Sequence, residues 1–229
     1  MDFSIKAFDS KNTITSAKTG CVAVAVFENK KMSQAAKALD QGGEIAAALK
    51  SGDITGKAGS TLMLRGVSGA SAARVLLVGM GSDEAISEKS FTSAVTAALK
   101  TFATIGSTDA IIALPLEDVK GRDISWAVRC IVIAANETEF RTDRQKSKKD
   151  PAPTGVRKIT LAATPSAELK TALAQAIAIG NGMNLTKELG NLSANVCTPA
   201  YLANTAKELA TEFGFGVEVL ERKQLEALK

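Results

Sequence analysis

The stretch Arg74-Val75-Leu76-Leu77-Val78-Gly79-Met80-Gly81 decides the fold. Four apolar residues follow Arg74 in a row, without the polar alternation of a strand that has one wet face. Such a run belongs to a strand covered on both faces, the usual condition of a parallel sheet. Gly79 and Gly81 close it in a tight turn. Ser87 then stands where a helix N-cap is expected, ahead of Phe91, Val95, Leu99 and Phe102 at helical spacing. Strand, turn and helix in that order are the unit of an α/β sheet.

The same alternation extends to both sides. Upstream, Val22, Val24 and Val26 belong to a strand, and helical patterns follow across Met32 to Leu39 and Ile45 to Leu49. Thr61 to Leu64 reads as a further strand. Downstream, Asp109 to Leu114 is a buried strand ended by Pro115, and a helix from Asp123 to Glu139 should carry Trp126, Cys130, Ile133 and Ala134 inward. Pro151-Ala152-Pro153 marks a loop, and Arg157 to Ala162 is the last strand of the block. The expected architecture is a mixed, mostly parallel sheet flanked by helices.

Two helices follow. Thr164-Pro165 offers an N-cap and a proline at the first helical position, and Leu169, Leu173, Ile177 and Gly180 keep the helical period behind it. The pattern runs for about 25 residues, longer than a typical globular helix, and so suggests a strut between domains. Thr198-Pro199 repeats the start signal before Leu202, Ala206, Leu209 and Phe213, and Gly214 is the stop. Val217 to Leu220 should begin a strand and Arg222 to Lys229 a helix. Residues 191–229 thus offer too few elements to bury their own apolar faces, and a partner is expected after Lys229.

Composition narrows the chemistry. With 229 residues, 45% of them apolar, the chain can bury a sizeable core, and its mixed charge argues against disorder. The longest apolar run, Cys21 to Phe27, is too short to span a bilayer, and Met1-Asp2-Phe3-Ser4 does not open a secretory signal. A soluble cytoplasmic protein with no membrane partner is expected. The chain has no histidine, so a Ser-His-Asp triad, a Cys-His dyad and a histidine-bound zinc cannot form within it. Cys21, Cys130 and Cys197 stand far apart and read as small apolar fillers.

Three motifs carry chemical readings. Gly79-Met80-Gly81 has the place of a nucleotide-binding turn, but Glu84 stands where a third glycine would be needed, so a tight turn is expected. From Arg141 to Lys149, the cations Arg141, Arg144, Lys146, Lys148 and Lys149 face Asp143 alone, a local charge of +4 equal to that of the whole chain. Such a run would contact nucleic-acid phosphates in a salt-dependent way. No aromatic residue is interleaved to stack on bases, and a solvated loop or an ion-pairing role between domains or subunits stays open beside it. The neighbouring carboxylates Glu137 with Glu139, and Glu117 with Asp118, have no spacing that implies acid–base work. No catalytic constellation is expected.

Leu189-Gly190-Asn191-Leu192-Ser193-Ala194-Asn195-Val196-Cys197-Thr198-Pro199-Ala200-Tyr201-Leu202-Ala203 resembles the segment that opens the catalytic domain of the leucyl (cytosol) aminopeptidase family. Asn191, Asn195 and Pro199 match its N-x-P-x-N-x-x-x-P pattern, and Ser193 replaces the usual proline. Thr55-Gly56-Lys57-Ala58-Gly59, the strand ending in Gly79-Met80-Gly81, and Glu139-Phe140-Arg141 through Lys146-Ser147-Lys148-Lys149 are similar to family stretches in the same order.

The resemblance implies a macro-domain-like N-terminal domain over 1–163, a linking helix over 164–190 and the first elements of an incomplete catalytic domain over 191–229. It also implies a longer, hexameric parent that removes N-terminal residues, leucine favoured, from peptides with two divalent ions (Mn, Zn or Mg). The family's metal-binding and catalytic residues lie in G-K-G and N-T-D-A-E-G-R-L segments that this sequence lacks. By the same resemblance no residue here inherits a catalytic or metal-binding role, the chain alone should be inactive, and DNA contact through the basic run is the alternative function. A nucleotide or ADP-ribose role rests on fold analogy alone.

Overall fold

The computed structural model describes residues 1–9, 13–143, 145–148 and 154–228. The expected loop at Pro151-Ala152-Pro153 lies outside them. The chain divides into two compact units, Met1–Arg141 with Lys148–Asn184, and Thr142–Ser147 with Leu185–Lys229.

The first unit is built on six strands: β1 (Asp2–Lys6), β2 (Val22–Val26), β3 (Thr61–Arg65), β4 (Arg74–Gly79), β5 (Asp109–Ala113) and β6 (Lys158–Ala162). Their order is β1-β6-β5-β2-β4-β3, and every neighbouring pair is parallel except β3 with β4. The side-chain alternation of β2 divides the core. Val22, Val24 and Val26 face one apolar cluster with helices α1 (Gln34–Leu39) and α2 (Glu44–Ser51). Ala23 and Ala25 face the other, which holds Phe91 and Phe102 of α3 (Glu88–Phe102) and Val128 and Ile131 of α4 (Ile124–Glu139). Small residues on that side of the strand leave volume for the phenyl rings. Each fully buried Val, Leu or Phe stabilises the unit by about 1.5–3 kcal/mol.

Strand β1 was not legible in the sequence. Phe3 and Ile5 are only half-buried against the core, and their alternation spans five residues. Pairing with β6 creates this strand: the Asp2 amide donates to the Arg157 carbonyl at 2.8 Å, and the Ser4 and Thr160 hydroxyls meet at 3.0 Å. Beside it Glu139 receives the Met1 ammonium at 3.2 Å and the Arg157 guanidinium at 2.7 Å.

The α3 expectation holds in detail, since the Ser87 hydroxyl accepts from the Ser90 amide and Phe91, Val95, Leu99 and Phe102 are all buried. Two others need correction. The inward face of α4 is Ala127, Val128, Ile131, Val132 and Ala135, together with Ala134, while Trp126, Cys130 and Ile133 are only half-buried. The face lies elsewhere because α4 packs on α3 as well as the sheet, with Trp126 5.7 Å from Phe91. Helix α5 (Ala167–Asn191) begins after Ser166, whose hydroxyl accepts the Leu169 amide at 3.1 Å. Thr164-Pro165 therefore precedes the cap, because a hydroxyl three residues back from a free amide is the one in reach. A Cβ on Gly180 would fall 2.2 Å from the Asn136 amide group, so glycine permits close approach of α5 to α4; Gly182 faces open space.

In the second unit, α6 (Pro199–Phe213) starts and stops as its sequence predicts. The Thr198 hydroxyl accepts the Tyr201 amide, Pro199 opens the helix, and Gly214 ends it at φ +73°. A capping box of Glu221 and Gln224 starts α7 (Arg222–Ala227). Val217 to Leu220 forms no strand. Its backbone finds no neighbouring strand to pair with among the described residues, and Val217 stays exposed.

Candidate functional site

The turn after β4 is closed to phosphate. The Gly79 amide donates to the Ser60 carbonyl at 2.8 Å, Met80 to Val26 at 2.9 Å and Gly81 to Gly56 at 2.9 Å. No amide of the turn is left to cradle an anion. The glycines serve packing instead. A Cβ on Gly79 would lie 2.1 Å from the Lys57 carbonyl oxygen, and one on Gly56, at φ +76°, 2.2 Å from the Phe27 backbone. The two glycine turns at positions 55–59 and 79–81 thus lock the ends of β2 and β4 together.

The basic run is placed on loop. Arg141, Lys146 and Lys148 are exposed, and Arg144 and Lys149 lie outside the described residues. Arg141 and Lys148 belong to the first unit and Lys146 to the second, so the described cations of the run are divided between the two. Gln145, passed over in the sequence, anchors the middle of the run in the second unit. Its Nε2 donates to the Ser193 hydroxyl at 3.0 Å, and its Oε1 accepts the Ser193 amide at 3.2 Å. The Ser193 hydroxyl also donates to Asn195. A proline at 193 has no N–H to give, so this loop contact depends on the serine.

Among the described residues, the titratable groups with shifted pKa values lie apart from one another. Burial pushes the Cys21 thiol up to about 12 and raises that of Cys130, which leaves both as poor nucleophiles at neutral pH. Asp83 is held below the ordinary carboxylate range by the Lys31 ammonium, which donates to it at 2.6 Å, and by Asn29. Lys31 is raised correspondingly by Asp83. The Ser68 hydroxyl and amide lower Glu44. Among the described residues no three His, Cys, Asp or Glu side chains gather as a metal site. The divalent ions implied by the resemblance therefore find no fitting ligand set in these residues.

Two surfaces remain. A cleft of about 740 Å³ opens at the carboxyl ends of β2, β5 and β6. In the second unit the helical apolar row is bare at its two ends: Leu202 is 46% and Phe213 66% exposed, while Ala206 and Leu209 between them are half-buried and Ala210 is buried. Phe215, Leu225 and Leu228 are exposed as well. Scattered apolar residues need no explanation, but a row of this size in so short a segment marks an interaction surface. Among the described residues no helix is long and apolar enough to cross a membrane.

A probable cytosol aminopeptidase of Herminiimonas arsenicoxydans is 63% identical over the whole chain, and one of Ralstonia pickettii (strain 12J) is 43% identical. The chain spans about half the length of these curated relatives, 46% and 47% respectively. Among solved structures, a tomato leucine aminopeptidase mutant aligns over all of this chain and 46% of its own, with a TM-score of 0.78 at 22% identity. The bottromycin maturation enzyme BotP in complex with Mn aligns over 92% of this chain and 40% of its own, with a TM-score of 0.68 at 21% identity. At such identities the likeness shows the fold alone. The family model described as "Cytosol aminopeptidase family, N-terminal domain" matches residues 23–149, more than half of the sequence. The chain therefore belongs to the cytosol aminopeptidase family and carries its N-terminal domain.

Proposed function

We propose that this chain is the non-catalytic, N-terminal portion of a cytoplasmic leucyl aminopeptidase. Residues 1–163 would form its N-terminal domain, 164–190 the linking helix, and 191–229 the first elements of the catalytic domain. The exposed Leu202 and Phe213 of α6, together with Phe215, Leu225 and Leu228, carry this reading, because covering so much apolar surface in one short segment is favourable. Its cover is the remainder of the catalytic domain, from the half of the relatives that this chain does not span. That remainder would also supply the ligands for two divalent ions, Mn, Zn or Mg. Bound metal ions polarise a peptide carbonyl and lower the pKa of a water, so the reaction needs no histidine. The parent would release N-terminal residues, leucine favoured, as a homohexamer.

A direct test joins this chain to the remaining half of the Herminiimonas arsenicoxydans relative. With Mn the fusion should hydrolyse leucine p-nitroanilide and elute as an oligomer, while the chain alone does neither. Turnover by the chain alone, or a soluble but inactive and monomeric fusion, would overturn the proposal. Contact of Arg141, Arg144, Lys146, Lys148 and Lys149 with DNA has only their charge in its favour. Replacing Lys146 and Lys148 by alanine should then flatten the salt dependence of any DNA affinity.

A further inference from the structure

We propose that the crevice at the carboxyl ends of β2, β5 and β6 binds a small organic ammonium ion with an apolar body. The position of the crevice follows from strand order. β2 and β5 are neighbours, yet the chain leaves β2 toward α1 and α2 on one face of the sheet and leaves β5 toward α4 on the other. Where successive connections diverge in this way, an α/β sheet opens a crevice outside its carboxyl ends, and ligands bind there. The volume, about 740 Å³, falls within the range of small-molecule sites.

The lining decides the class of ligand. Phe27, Ala113, Leu114 and Leu116 form an apolar, buried floor. Among the described residues, the charged ones that line the cleft are acidic: Asp9, Asp83, Glu117 and Asp118. Asp83 is answered by Lys31, but among the described residues no ion pair holds Glu117 or Asp118. A phosphate or carboxylate entering this crevice meets Glu117 and Asp118 and, among the described residues, no cation of the lining. An ammonium group at the rim meets attraction, and its hydrocarbon body reaches the floor. Crevice position and charge sign are independent observations, and neither depends on the proposed aminopeptidase role.

The test uses the chain itself and 2-phenylethylamine as the probe, followed by amide chemical shifts at low salt. Saturable shifts should appear at Ala113, Leu114 and Leu116 to Asp118 and at Ser33 to Ala38. The anion 3-phenylpropanoate, with a similar body, and ADP should each bind about tenfold more weakly or worse. The double variant Glu117→Gln, Asp118→Asn should lose at least about threefold in affinity while its melting temperature stays put, both residues being exposed. Ala38→Trp, on the exposed side of α1, should obstruct the crevice and abolish the shifts. Non-saturating shifts, equal binding of the anion, tighter binding of ADP, or a double variant that binds normally would each overturn the proposal.

Discussion

The two units of this chain differ in how completely each covers its own apolar surface. In the first, β2 and β4 have apolar side chains with little or no exposure on both faces, and helices lie over each face. In the second, α6 has well-made caps but only partial cover, with a single buried residue and with Leu202 and Phe213 exposed. Caps and propensity can thus specify a helix locally, yet they do not supply the burial that stabilises it. The first unit covers its own apolar faces, and the second leaves Leu202, Phe213 and Phe215 in water.

The contrast can be broken most directly by hydrogen exchange. Amides of β2 and β4 should open only with global unfolding, whereas those of α6 and α7 should exchange orders of magnitude sooner in the chain alone. Equal protection would mean that the second unit is stable unaided. Mutation should show the same asymmetry in urea unfolding followed by the fluorescence of Trp126. Leu76→Ala, in the core of β4, should cost about 2–5 kcal/mol. Phe213→Ala should change stability by no more than about 0.5 kcal/mol.

Gly79→Ala should destabilise by about 1–3 kcal/mol, because its new methyl group meets backbone that cannot yield. Ser166→Ala should cost about 1 kcal/mol at the start of α5, and Thr164→Ala nothing measurable; the reverse result would restore the sequence-based cap. The smallest effect concerns the exposed Lys31 and its half-buried partner Asp83. A lowered carboxyl stabilises above its ordinary pKa and loses that contribution as pH falls through the folded value. A raised ammonium stabilises below its ordinary pKa and loses the contribution as pH rises through the folded value. Lys31→Ala should therefore move the Asp83 titration, followed by NMR, upward toward the ordinary carboxylate range; an unmoved titration would remove Lys31 as the cause.

Legibility followed the range of the interactions. Cys21 to Phe27, the Phe91-Val95-Leu99-Phe102 stripe and the Thr198-Pro199 start could be read because short windows of sequence carry their burial and capping patterns. The edge strand β1 and the Gln145–Ser193 contact could not. The first needs β6, which lies more than 150 residues along the chain. The last joins positions 48 apart, between two exposed polar side chains with no pattern to mark them. The crevice was equally hidden, since its position depends on strand order.

By itself, the sequence determined the α/β class, most of its elements, and the exclusion of histidine chemistry, because composition and local periodicity are properties of the chain alone. The tertiary structure decided the order of the strands, the face that α4 turns inward, the closing of the Gly79–Gly81 turn to anions and the failure of Val217 to Leu220 to become a strand. Each of these depends on which distant backbone or side chain comes within reach, and that is settled only when the sheet assembles.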